Sequence, residues 1–216
     1  MNLKVKDPGS ALTHFIAMMC AAIAAAPLLL RASKEADSLH FVSLSVFIVS
    51  MILLYASSTV YHTLNVSEAV NKWLRKLDHM MIFILIAGTY TPVCMIVLGD
   101  KSGLSLLALV WSIAAVGIII NLLWINCPKW VSSVIYIAMG WVCVLAFKQI
   151  LYALSGAAFG WLLAGGIIYT LGGIIYALKL PIFNSRHKNI GSHEIFHLFV
   201  MGGSFCHYML MYQYVA

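Results

Sequence analysis

Seven apolar runs, each near twenty residues and separated by short polar breaks, decide most of what this chain can become. A helix of about 20 residues crosses the ~30 Å hydrocarbon core of a bilayer. The runs fall at about 10–30, 39–64, 77–98, 104–125, 130–152, 156–180 and 192–214. None alternates apolar and polar residues with a period of two, which sets aside a membrane barrel. Only 9% of residues are charged and 62% are hydrophobic, whereas a soluble domain is about a quarter charged and about half apolar. The expected fold is an all-α, seven-transmembrane helix bundle. Seven spans and their loops consume the 216 residues, so 1–216 reads as a single membrane domain. The first run exceeds the 7–15 residues usual for a signal sequence and ends at no clear cleavage site, so it reads as a span.

The net charge of +6 would raise nucleic-acid binding in a soluble protein. Here the basic residues cluster at span ends, where they orient helices and meet anionic lipid heads. Membrane lipids, not nucleic acid, are the expected partners. Lys4, Lys6, Lys72, Arg75, Lys76, Lys129, Lys179, Arg186 and Lys188 fall on one side, against Arg31, Lys34, Lys101 and Lys148 on the other. The excess predicts a cytoplasmic N-terminus and an outside C-terminus. Cys20, Cys94, Cys127, Cys143 and Cys206 form no C-x-x-C pair and read as small packing residues. The many glycines within the runs, including Gly166 and Gly173, read as close-approach points between helices. Trp and Tyr near span ends read as interface anchors.

An ionisable residue inside a span is expensive and marks function by default. His14, His62, Asp78, His79, His193, Glu194 and His197 come from distant parts of the chain, yet all fall at the expected cytoplasmic level. His193 and His197 are four apart, so a helix sets them on one face about 6 Å apart. Two such imidazoles can grip one metal ion, and His62 is the best third ligand. Three protein ligands plus an open position describe catalytic zinc. Ser58 lies one turn deeper than His62 and can hydrogen-bond a ligand or bound water. Asp78 reads either as an acid/base residue or as a helix-start carboxylate favoured by the dipole. His79, adjacent to it, is turned about 100° away. His193-Glu194-Ile195-Phe196-His197 also spells H-E-x-x-H, in which the Glu of zincins activates water; this raises a membrane metalloprotease. Glu194 reads equally as a helix-start carboxylate. His207 lies about 15 Å deeper than His197, too far to share an ion, and reads as an interior hydrogen-bonding group. His40 and His187 read as solvated.

Taken together, Thr13-His14, Ser58-x3-His62, Leu77-Asp78-His79, Ala87-Gly-Thr-Tyr-Thr-Pro92, Ala138-Met-Gly-Trp141 and His193-x3-His197 with Gly202-Gly-Ser and His207 resemble the hemolysin III family. That family is the bacterial branch of the progestin and adipoQ receptor superfamily, and the resemblance covers nearly the whole chain. It implies seven helices, the N-terminus inside, and zinc held near the cytoplasmic leaflet by His62, His193 and His197. It also implies that Asp78 contacts the zinc-bound water. Related adiponectin receptors and alkaline ceramidases imply hydrolysis of ceramide-like amides, and the bacterial members of the family imply a role in membrane lipid homeostasis. Relatives carry other residues at the Glu194 position, which weighs against the zincin reading.

The expected activity is therefore that of a zinc-dependent hydrolase of membrane lipids, with Asp78 and Ser58 as the catalytic candidates. The competing reading is a non-enzymatic sensor or regulator of membrane composition with structural zinc. A secreted cytolysin ranks lower, because a pore-former must be soluble before insertion.

Overall fold

The computed structural model describes residues 5–124, 128–178 and 191–216. The expected 126–129 turn lies partly outside them. So do Lys4, Cys127, Lys179, Arg186, His187 and Lys188. Among the described residues there is no strand, and seven helices are long and apolar enough to cross a membrane. They are α1 (Pro8–Ala32), α2 (Ser38–Thr63), α3 (Glu68–Leu98), α4 (Lys101–Leu123), α5 (Trp130–Ala153), α6 (Gly156–Leu178) and α7 (Ser192–Val215). A helix is the solution the bilayer permits, because it satisfies every interior backbone group within itself.

The helix ends follow local chemistry. Asp37 and Ser67 each accept a backbone N–H three residues on, from His40 and Val70, and so cap α2 and α3. Asp100 does the same for Gly103 at the start of α4. Hydrogen bonds from His40 to Asp37, and from Ser102 and the Gly103 N–H to Asp100, hold both carboxyls below the usual carboxylate range. Gly99, at φ 60°, supplies the left-handed residue that ends α3. The apolar run alone would start the third helix at 77. It starts at Glu68, because Ser67 caps it and an acidic first turn suits the positive end of the helix dipole. Trp73 is exposed on this added stretch and Lys76 donates to the Leu122 carbonyl at the end of α4. Asp78 is therefore well inside a helix, and the helix-start reading of its charge fails.

Each helix packs on its sequence neighbours, with α6 lying closely along α7, and α7 returns to α1, which closes the bundle. α3 also touches α5 and is the most buried helix. One apolar core joins α1, α2, α3, α6 and α7, around Phe47, Ile48, Tyr55 and Leu210. A second joins α3, α4 and α5, around Phe83, Val110 and Met139. The outward faces carry large exposed hydrophobics such as Leu12, Ile23, Leu30, Val116 and Leu145, which only a lipid solvent tolerates in such number. Within α5 the α-helical turns stop at Gly140 and tighten to 3-10 geometry over Trp141–Ala146. Tyr90 of α3 reaches this break: its hydroxyl donates to the Gly140 carbonyl at 2.7 Å and accepts the Cys143 N–H at 2.8 Å.

Glycine sets the spacing at several crossings. A Cβ on Gly88 would lie 2.8 Å from the Ser50 Cβ on α2, and one on Gly172 would lie 2.6 Å from the Phe199 Cβ on α7. A Cβ on Gly173 would meet the outer side-chain carbons of Ile137 of α5 at 3.1 and 3.2 Å, a tight but milder contact, whereas Gly166 has open space before it and lines a cavity. The packing reading of the Gly166/Gly173 pair thus holds for one member only. The clashes at Gly88 and Gly172 involve atoms next to the backbone, which move only with their helix, and overpacking of this kind costs about 1–3 kcal/mol. Gly88→Ala and Gly172→Ala should lower the melting temperature of the purified protein in detergent. Gly166→Ala should leave it unchanged or raise it.

Candidate metal site

Three imidazoles converge where the end of α2 meets the start of α7. His62, His193 and His197 each present a ring nitrogen, and these atoms all lie within 4.8 Å of one another. The i, i+4 spacing places His193 and His197 on one face of α7, with ring centroids 4.5 Å apart. His62, at the last turn of α2, brings its Nε2 to 3.2 Å from Nε2 of His193. His62 and His197 are buried.

The orientation of two of the rings is fixed from the N-terminal segment. His62 Nδ1 lies 3.0 Å from the Asp7 carboxylate. A carboxylate only accepts, so His62 carries its proton on Nδ1 and turns the Nε2 lone pair inward. His197 Nδ1 lies 3.3 Å from the Thr13 hydroxyl. That hydroxyl spends its own proton on the Gly9 and Ser10 carbonyls, at 3.1 and 3.0 Å. It therefore accepts from His197 Nδ1–H, which again leaves Nε2 with a lone pair. Imidazoles arranged in this way are suited to hold a metal ion.

The segment that carries Asp7 is itself tied down. The Asp7 N–H donates to the His62 carbonyl at 2.9 Å, and the Lys6 N–H to the Thr63 carbonyl at 3.4 Å. The Lys6 ammonium sits 3.6 Å above the Tyr61 ring, a cation–π contact. Asp7 escaped the sequence reading because it precedes the first apolar run and looks like a solvated charge. Thr13 was visible only as half of the Thr13-His14 pair. No spacing rule links residue 7 to residue 62.

Asp78, Ser58, His14, His79, His193 and His197 line one end of a cavity that runs into the bundle. Its volume is about 240 Å³. Deeper, its walls are apolar and come mainly from α3, α5 and α6: Ile86, Val93, Ile137, Val144, Phe159 and Leu162 among them. Asp78 is buried, one turn from the Arg75 carbonyl that His79 Nδ1 approaches at 2.8 Å. The same His79 nitrogen lies 3.6 Å from the Asp78 carboxylate, so His79 does not point away from the site as its helix position suggested.

Glu194 is engaged elsewhere. One carboxylate oxygen accepts the Ser10 hydroxyl at 2.7 Å and the other accepts the Gly191 N–H at 2.8 Å. It caps α7 and ties it to α1, which uses both oxygens that a zincin glutamate would need for water. His207 lies deep in the bundle, its Nδ1 donating to the Gly203 carbonyl at 2.8 Å. Tyr169 stacks on its ring, and the Tyr169 and Tyr55 hydroxyls both meet Ser204. His40 pairs with Asp37 at the opposite end of α2. Cys20, Cys94, Cys143 and Cys206 are free thiols.

Comparison with known proteins agrees with this architecture. A family model described as haemolysin-III related matches residues 3–208. The chain is 38% identical over 210 residues to Hemolysin-3 of Bacillus cereus, covering 97% of this chain and 92% of that protein. It is 36% identical over 199 residues to the Hemolysin-3 homolog of Bacillus subtilis, covering 92% and 89%. A more distant relative is the adiponectin receptor protein of Drosophila melanogaster, 27% identical over 239 residues, with 96% of this chain and 51% of that protein covered. With its seven membrane-length helices, the chain is a multi-pass membrane protein and belongs to the haemolysin-III-related family.

Proposed function

We propose that this protein is a zinc-dependent hydrolase that cleaves an amide bond of membrane lipids, ceramide-like in class, with a role in lipid homeostasis. The carrying observation is the convergence of three imidazoles, two of which, His193 and His197, also line the polar end of an apolar cavity that contains a buried carboxyl group. Ligand atoms about 2.0–2.1 Å from a tetrahedral ion lie about 3.3 Å from each other, close to the 3.2 Å between His62 and His193. Three imidazoles, with no fourth His, Cys, Asp or Glu grouped with them among the described residues, match catalytic zinc, whereas structural zinc sites usually close with four protein ligands. The substrate class follows the resemblance to adiponectin receptors and alkaline ceramidases.

A zinc ion held by His62, His193 and His197 would polarise the lipid carbonyl and lower the pKa of water. Asp7 and Thr13 keep two of the ligand rings in the tautomer that binds. Asp78 accepts the proton of the attacking water and passes it to the leaving amine. Ser58, one helical turn from His62, hydrogen-bonds the reacting oxygen. The apolar walls hold the acyl chain and keep bulk water from the bond being cut. We further propose the cytoplasmic side for Asp7 and the site, from the Lys and Arg excess there.

Purified protein should contain about one zinc per chain by elemental analysis, and the His193→Ala/His197→Ala double variant should contain almost none. Asp7→Ala should weaken zinc binding by about 10–100-fold in a chelator competition, as loss of a ligand-orienting carboxylate typically does. Full zinc in the double variant would refute the site.

Asp78→Asn keeps the size and polarity of the side chain but cannot take a proton at neutral pH. It should retain zinc and the wild-type melting temperature while hydrolysis of a ceramide-like amide falls at least about a hundredfold. No turnover by the zinc-loaded wild type across a lipid panel would favour the sensor reading instead.

A reporter fused after Ala216 should read out from the outer side, and one inserted after Asn65 from the cytoplasm. Both on one side would refute the seven-span count, because five spans separate the two positions, and exchanged sides would refute the proposed orientation.

A further inference from the structure

His14 has no place in the metal cluster, yet it is among the least explained residues in the molecule. It is 3% exposed, and neither ring nitrogen has a hydrogen-bond partner among the described residues. Leaving one buried donor or acceptor unpaired costs about 1–3 kcal/mol, and His14 carries one of each. A purely structural position would favour phenylalanine, which fills the same space without that cost. The ring is held firmly. Its plane stacks on His197 with centroids 3.6 Å apart and 10° between planes, and Tyr55 meets it edge-on at 5.1 Å. Stacking covers a face of the ring, so the hydrogen-bonding atoms are confined to its edges. His14 also lines the cavity that Ser58, Asp78, His193 and His197 share. The Ser58 hydroxyl and the Asp78 carboxyl, which hydrogen-bond each other, face the same cavity.

We propose that His14 is the headgroup-positioning residue of the cavity. Its two ring nitrogens hydrogen-bond a lipid head that both donates and accepts, the chemistry of a hydroxyl-bearing amide. The inference rests on the lipid-amide reading of the same site. It adds a residue that selects the ligand by its polar head and leaves metal binding to the other three histidines. A neutral imidazole offers one N–H and one lone pair on different edges. A lipid with only acceptors can satisfy one edge; a hydroxyl-bearing amide can satisfy both. The apolar walls beyond fix the chain without regard to its head.

The experiment uses the full-length, zinc-loaded protein in detergent, with Asp78→Asn as background so that binding is read without turnover. The probes are a fluorescent short-chain ceramide and its analogue methylated on the amide nitrogen and both hydroxyls, which keeps the chains and removes the donors. The parent should prefer ceramide over the analogue. His14→Phe, which keeps a flat ring against His197, should reduce that preference about tenfold, the worth of one buried hydrogen bond. It should also leave zinc content unchanged and the lipid-free melting temperature at or above that of the parent. His14→Gln, which keeps a donor and an acceptor, should retain part of the preference. An unchanged preference in His14→Phe overturns the proposal, as does loss of zinc or a lowered melting temperature, either of which would make His14 a structural or metal-supporting residue. Equal binding of both probes by the parent overturns it too. Tight, selective binding by a wild type that shows no turnover would sink the hydrolase reading and leave the positioning role of His14 standing.

Discussion

Two imidazole nitrogens held 3.2 Å apart, one from the end of α2 and one from the start of α7, are the contact on which the rest of this structure turns. With Nδ1 of His62 committed to Asp7, its Nε2 presents a lone pair. At this separation the His193 nitrogen either donates its proton to that lone pair or shares a cation with it. The protein spends several independent contacts to hold them there. The Asp7 segment pairs with the last turn of α2, Thr13 steadies His197, and Ser10 draws the start of α7 onto α1 through Glu194. These contacts join three helices at one end of the bundle, where packing alone would leave α7 to rest mainly on α6.

Most of the fold was legible in the sequence, because a bilayer leaves so few solutions. Length and apolar content placed all seven helices, and the breaks between them fell where Asp37, Ser67, Gly99 and Asp100 cap or end a helix. The exception was the start of α3. Hydropathy sees only the buried part of a helix, so the polar stretch from Glu68 to Lys76 read as loop although Ser67 supplies an ordinary cap. That error carried over to Asp78, whose charge looked like a helix-start feature.

The three histidines were legible for a similar reason: polar groups within apolar runs stand out, and the i, i+4 pair carries its own geometry. What surrounds them was not. Asp7, Thr13 and Ser10 are ordinary residues near a chain end, and their importance comes from tertiary contacts with residues 62, 197 and 194. Glu194 shows the reverse case. It sits within a recognisable metalloprotease string, yet the start of α1 and the N-terminus of α7 take both of its oxygens. A sequence motif records which side chains are near one another along a helix, and not which neighbours they face.

The ordering of these contacts along the chain has a consequence for biogenesis. Asp7 and His62 both belong to the first two helices and their flanks, so the contact that orients the first ring needs no later part of the chain. His193 and His197 emerge with the last helix, after about nine-tenths of the chain has been made. Since chains assemble from the N-terminus as they are made, the cluster is completed only when α7 docks back against α1. A chain interrupted after α6 holds six membrane helices and one correctly oriented imidazole, but no pocket that can retain an ion. An ion held by all three rings would therefore tie the last helix to be made to the second.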